Sequence, residues 1–225
     1  MSRRSCWLAT AAVLGFAASA VTAGLAQTAH PLPPLAGAEA PRVVPALGDD
    51  GIYHQAWFMP SFLDLADDAR EAEASGKRFA VIFEQRGCVY CKRMHTEVLA
   101  QKWVNDYVRE NFTIVQLDLW GSRKVTDFDG TQMPEKQLAE RWGVMFTPTI
   151  VFFKDGLQQL MAVHAGGGTA AIWGQPLEVT RMQLGFGVPT FIDMFSWIRT
   201  KTYEKDRNFQ RFHVARMAER DAQKK

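Results

Sequence analysis

Two cysteines two residues apart, Cys88-Val-Tyr-Cys91, are the part of this sequence best suited to chemistry. They follow an apolar run, Phe79-Ala-Val-Ile-Phe83, and open an amphipathic helical pattern. Thiol–disulfide exchange needs a thiolate nucleophile and a second thiol near enough to close a disulfide. A strand that delivers such a pair to the first turn of a helix meets both needs. The unpaired N–H groups and positive partial charge of a helix N-terminus favour a thiolate at Cys88, and Cys91 lies one turn deeper. Cys88 is therefore the expected nucleophile and Cys91 the resolving thiol. Arg86, Lys92 and Arg93 add positive charge nearby.

Other uses of the same residues compete with this one. A two-residue loop constrains an unfolded chain little, so a purely structural disulfide would be a poor staple. Cys88, Cys91 and His95 fall at i, i+3 and i+7 and could supply three zinc ligands, with His30, His54, His164 or His213 as a remote fourth. No second cysteine pair is present to close a structural zinc site. Haem attachment needs histidine directly after the second cysteine, where Lys92 stands. No metal or cofactor is expected beyond a redox-active Cys88–Cys91 disulfide. His95 is expected on the helix surface or partly buried.

The N-terminus reads as a separate object. Arg3-Arg4 precedes an uncharged stretch from Cys6 to Ala23, followed by small residues, with cleavage expected after Ala26. This is the pattern of a secretory signal, Sec rather than twin-arginine, with a retained membrane anchor as the alternative. Loss of residues 1–26 removes two arginines and no acid, leaving 24 basic residues against 24 acidic ones. No basic footprint for nucleic acid is left. It also removes Cys6, so the pair becomes the only cysteines of an exported chain. Apolar content of 47% and charged content of 22% are those of an ordinary globular protein.

The elements that must position the pair can be read in order. Residues 27–50, with Pro31, Pro33, Pro34, Pro41 and Pro45, read as an extended linker. A domain is expected over 51–203, with order beginning near Tyr53, and a charged, solvated helical tail over 204–225. Ser61 is the expected N-cap of a helix bearing Phe62, Leu65, Ala66, Ala69 and Ala72, with Asp64 in the capping-box position and Gly76 as its stop. Strands are expected at 79–84, 113–117, 149–153 and 177–184. Helices are expected after Cys88, around Trp103–Val108, over 134–142 and from Pro189. Residues 120–133 read as irregular, and 157–176 as a long loop with a short strand at 159–163. Phe209 and Phe212 are expected to pack on the domain. The order α-β-α-β-α-β-β-α predicts an α/β fold, a mixed sheet of four to five strands covered on both faces.

A second signal is Phe146-Thr147-Pro148-Thr149, directly before an apolar strand. A cis proline there turns the chain and presents backbone groups to an extended substrate. Together with the cysteine pair, Thr147-Pro148-Thr149 resembles the thioredoxin superfamily over about residues 60–202. The longer runs Phe83-Glu-Gln-Arg-Gly-Cys-Val-Tyr-Cys-Lys-Arg-Met-His95, Gln116-Leu-Asp-Leu-Trp-Gly121, Val125-Thr-Asp-Phe-Asp-Gly130 and Phe146-Thr-Pro-Thr-Ile-Val-Phe-Phe153 resemble the SoxW-type periplasmic thioredoxins of sulfur-oxidising bacteria. The resemblance implies a thioredoxin-like three-layer fold with a cis-proline facing the cysteines. It implies a periplasmic reductant, fed by a membrane thiol-electron transporter, that keeps a partner protein's cysteine reduced. Substrate would lie against Thr147, Pro148, Val89 and Tyr90. Two departures stand out. Gly87 replaces the tryptophan common before the first cysteine. Ile82 replaces the buried acid six residues before it, and Glu84, of the same strand parity, is the candidate substitute acid–base group. A periplasmic oxidase or isomerase, and a non-catalytic binding module, remain as alternative functions.

Overall fold

The computed structural model describes residues 32–38, 40–157 and 177–224. The expected leader, His30, His164 and the strand expected at 159–163 lie outside them. The central strand β3, Arg78–Glu84, is buried along its whole length. Its alternating residues explain the layers around it. Phe79, Val81 and Phe83 join Val115, Leu117, Val151 and Phe153 in one core. Ala80 and Ile82 join Ile114, Ile150 and Phe152 in the other. β3 runs parallel to β4, Phe112–Asp118, and antiparallel to β7, Thr149–Phe153, which pairs in turn with β8, Glu178–Gln183. The order β4-β3-β7-β8 makes a mixed four-stranded sheet.

Helices α1, Leu65–Ala74, and α4, Glu135–Arg141, cover the first face through Leu65, Ala69, Ala72 and Leu138. The second face carries α2, Val89–Arg93, a wide π-turn at Met94–Val98, α3, Lys102–Asn111, and α5, Val188–Arg199. The α/β three-layer architecture expected from the element order is thus present. Two short hairpins are added, β1–β2 (Ala46–Leu47 with Tyr53–His54) and β5–β6 (Lys124–Thr126 with Gln132–Pro134). The second corrects the irregular reading of 120–133.

The α1 boundary is also corrected. Asp64, not Ser61, is the N-cap, and its carboxylate accepts the Ala66 and Asp67 N–H groups. Leu63 is the reason: its φ of 64° cannot belong to a right-handed helix. Its side chain is buried in the core while Phe62 is fully exposed rather than part of the apolar stripe. The Ser61 hydroxyl instead accepts from Leu63 N–H and donates to Asp68.

The outer edge of β4 is covered. Met59 N–H donates to Ile114 O, Glu135 accepts Asp118 N–H, and Arg123 donates to Gln116 O. Such cover prevents strand-edge pairing. After the short α6, Thr202–Lys205, the tail forms α7, Phe209–Gln223. Phe209 packs against Trp197 with ring centroids 5.7 Å apart. The tail is docked, not solvated. Arg216 and Arg220 are buried on Asp193 of α5, which also takes a bond from His213. The same two arginines donate to Pro33 O and Leu35 O, so the described part of the proline-rich segment is tied to α7 rather than free.

Candidate active site

β3 ends at Glu84 and the chain must turn at once into α2. Gly87 makes that turn at φ 74°, a conformation that side-chain-bearing residues rarely hold, which accounts for glycine where the resemblance leads one to expect tryptophan. Cys88 is the N-cap of α2, and its Sγ accepts the Cys91 N–H at 3.0 Å. Cys88 and Cys91 form a disulfide. Cys88 is half-buried and Cys91 is buried, so an incoming sulfur meets Cys88 first.

The Thr147–Pro148 peptide bond is cis. Thr147 Oγ1 donates to Cys88 Sγ at 3.2 Å, and Thr147 O lies 3.5 Å from the same sulfur. Pro148 O is occupied by Leu184 N–H at 2.8 Å, which holds the loop after β8 beside the cysteines. Tyr90 lies against that loop: a Cβ on Gly185 would sit 2.7 Å from its ring. Val89 (67% exposed) and Tyr90 (47%) follow Cys88 directly, and Phe146, next to Thr147, and Leu184, hydrogen-bonded to Pro148, add further exposed apolar side chains. Trp120, also exposed, donates from its indole N–H to Gln85 in the turn before Cys88. Of the expected basic groups, Lys92 is exposed and Arg93 faces Glu97 at 3.4 Å. Arg86 donates to the carbonyls of Asp49 and Asp50.

Glu84 is fully buried, and so is His95, against the expectation of a surface or partly buried ring. The π-turn that contains His95 carries it inward with Met94 and Val98. His95 Nε2 faces the Glu84 carboxylate at 3.0 and 3.1 Å, and Nδ1 faces the Gln55 amide at 3.0 Å. With both ring nitrogens engaged, His95 does not join the two sulfurs as a third metal ligand. Parity also places Gln116 here: Gln116 is opposite Ile82, on the face that Glu84 shares. Its amide donates to Glu84 and to Tyr53 O, and accepts from His54 Nδ1 at 2.6 Å. Beyond it, His54 Nε2 lies 3.2 Å from both Asp50 oxygens. Burial works to raise the Asp50 carboxyl, but the Ile52 N–H, His54 and Arg123 outweigh it and hold the group below its ordinary range. A cleft of about 590 Å³ opens beside Asp50, His54, Gln55 and Gln116.

The sequence reading missed Gln55, Asn105 and Gln116, because their partners are remote in the chain. Strand parity alone could have suggested Gln116 for Glu84.

Residues 65–176 match the model of the thioredoxin-like domain. The fold is thioredoxin-like, a mixed four-stranded sheet flanked by helices. Among solved structures, a thioredoxin-fold protein from Helicobacter pylori is similar with a TM-score of 0.48 and 19% identity, covering 65% of this chain and 86% of its own. A thioredoxin from Thermus thermophilus gives 0.39 and 23%, covering 58% and 80%. The oxidoreductase DsbH gives 0.34 and 15%, covering 56% and 74%. No curated protein sequence matches the chain. The residues that hold the buried Glu84 carboxylate include Tyr53, His54 and Gln55, which precede the matched span.

Proposed function

We propose that the chain is a thiol–disulfide oxidoreductase, exported to the periplasm, that reduces a cysteine of a partner protein. The observation that carries this reading is the arrangement at Cys88. Its half-buried sulfur accepts the Cys91 N–H and borders Thr147 beside the cis-proline, and the exposed Val89 and Tyr90 follow it in the chain. The resolving sulfur is buried behind it.

In the reduced protein the Cys88 thiolate attacks a partner disulfide. A Cys88–partner S–S bond forms, and the partner's other sulfur leaves as thiolate and takes a proton. Cys91 then gives its proton to Glu84, and its thiolate attacks Cys88 Sγ. The Cys88–Cys91 bond forms and the bond to the partner breaks, so two electrons pass to the partner and the Cys88–Cys91 disulfide remains. A membrane thiol-electron transporter would restore the dithiol. Val89, Tyr90 and the Thr147-Pro148 loop would hold the partner chain. The SoxW-type resemblance suggests a partner in sulfur oxidation.

Cys91→Ser should trap the partner as a mixed disulfide, and Cys88→Ser should trap nothing. If Cys88→Ser retains the phenotype and partner binding of the native chain, the protein is a binding module. A reduction potential near about −270 mV fits a reductant, and one near about −120 mV fits an oxidase instead.

A further inference from the structure

The amides around Glu84 form two directional chains, each fixed by a backbone carbonyl. Asn105 Nδ2 donates to Leu99 O at 2.9 Å, which can only accept, so the orientation of the Asn105 amide is set. The same nitrogen donates to Gln55 Oε1 at 2.9 Å. Gln55 must then turn its NH₂ toward His95 Nδ1, at 3.0 Å. A nitrogen facing a donor has to accept, so the His95 proton belongs on Nε2, where Glu84 lies at 3.0 and 3.1 Å. On the other side, Gln116 Nε2 is fixed by Tyr53 O at 2.8 Å and also donates to Glu84 Oε2. Oε2 thus takes two donors, while Oε1 takes only a share of the His95 bond and keeps room for a proton.

We infer that Gln55, oriented by Asn105, is a tautomer lock: it holds His95 as the Nε2–H form, so that Glu84 meets the resolving Cys91 as a proton acceptor. Gln55, His95 and Asn105 are positioning residues in this scheme, and the inference rests on the exchange reaction proposed above. Cys91 and His95 are four residues apart along one helical segment, both buried, which places them on the same side of it. The Cys91 S–H bond breaks, its proton goes to Glu84 Oε1, and the sulfur's electron pair makes the bond to Cys88. The lock matters because the alternative tautomer would point Nδ1–H at the Gln55 NH₂ and leave Nε2 to compete for the same proton.

The titratable and charged groups that face the pair are few. Glu84 faces His95 from the π-turn and Gln116 from β4, with His54 and Asp50 beyond Gln116. Arg123 donates to the Gln116 backbone and acts on Asp50. His95 is further covered by the rings of Tyr53 and Phe58, at 6.1 and 5.9 Å between centroids.

Two measurements on the full chain test the lock. Long-range ¹H–¹⁵N NMR of the native protein should show His95 Nδ1 as an unprotonated, acceptor nitrogen and Nε2 as the protonated one. The decay rate of a preformed mixed disulfide between Cys88 and a small thiol, followed across pH, reads the step itself. In Gln55→Glu the new carboxylate still accepts from Asn105 but now accepts from His95 Nδ1 as well. His95 should then carry protons on both nitrogens, and its charge should make Glu84 a weaker base. The expected result is a rise of the doubly protonated NMR signature and an approximately tenfold slower decay near neutral pH. A native His95 protonated on Nδ1 overturns the lock, as does Gln55→Glu with unchanged NMR pattern and unchanged pH profile. A native chain with the expected tautomer but no exchange of any disulfide overturns the proposed reaction and not the lock's geometry.

Discussion

Among the described residues a carboxylate is buried beside a histidine twice, with opposite surroundings. At Glu84 the partners are a histidine and the amides of Gln116 and, through His95, Gln55. At Asp193 they are His213 and the guanidinium groups of Arg216 and Arg220, at 2.5 to 3.5 Å. The first set contains no fixed cation. At Asp193 two guanidiniums, which stay charged throughout the accessible pH range, surround the carboxylate with fixed cations. Burial alone therefore marks neither site as catalytic. The identity of the donors separates a proton store from a clamp.

The largest effect should come from the clamp. Asp193→Ala leaves two buried arginines and His213 without their anion, and loss of one member of such a set costs about 3–5 kcal/mol. Denaturant unfolding should show that loss, while the exchange rate of the still-folded protein stays native. An unfolding midpoint equal to the native one would erase the contrast. Glu84→Gln should do the reverse. Its partners are amides and one ring, so stability should move by about 1 kcal/mol or less. Mixed-disulfide resolution should slow by roughly a hundredfold near neutral pH and recover as pH rises, because Cys91 must then lose its proton to solvent. An unchanged rate across pH would remove Glu84 from the mechanism.

Asp68 sharpens the comparison as a third carboxylate, with a hydroxyl as its partner. Burial raises it from 3.8 to about 6, the Ser61 hydroxyl opposing and the nearby Asp64 and Glu71 adding to the rise. The folded state holds this proton more tightly than the unfolded chain does. Its contribution to stability is therefore full below about pH 4 and is lost as pH rises through about 6. Asp68→Asn should raise stability by on the order of 1–2 kcal/mol at pH 8 and change little near pH 3. Thermal melts at the two pH values check the sign. The smallest effect belongs to the loop against Tyr90. Gly185→Ala pushes a methyl group into Tyr90, and should weaken partner capture several-fold with native stability.

The strands were legible because each is an apolar run flanked by turn residues, and the four of the sheet lie within a residue or so of their expected places. The cysteine pair and Thr147-Pro148 were legible because their chemistry is local to a few residues. What escaped was set by contacts across the chain. Gln55 meets His95 and Asn105 over separations of 40 and 50 residues. Period alone gave no reason for a histidine among apolar neighbours to turn toward the sheet. The tail misled in the same way: Arg216 and Arg220 look like a solvated charged face until Asp193, on another helix, supplies their anion. At α1 a plausible capping sequence lost to Leu63, whose burial draws the backbone out of helical conformation before Asp64 begins it again.

The π-turn at Met94–Val98 has one more consequence. Its Leu99 N–H reaches back five residues to Met94 O, so the turn absorbs one residue more than an α-helix would. One residue is about 100° of helical rotation. The segment before the turn keeps Cys91 in phase with the sheet, and the turn itself shifts the phase so that Val98, and Leu99 after it, also point inward. The two stretches of sequence are thereby uncoupled in rotation. Side chains can vary on either side without turning the other, but the spacing between them is fixed to the residue: deleting Thr96 would keep the disulfide's register and swing the packing face beyond it off the sheet.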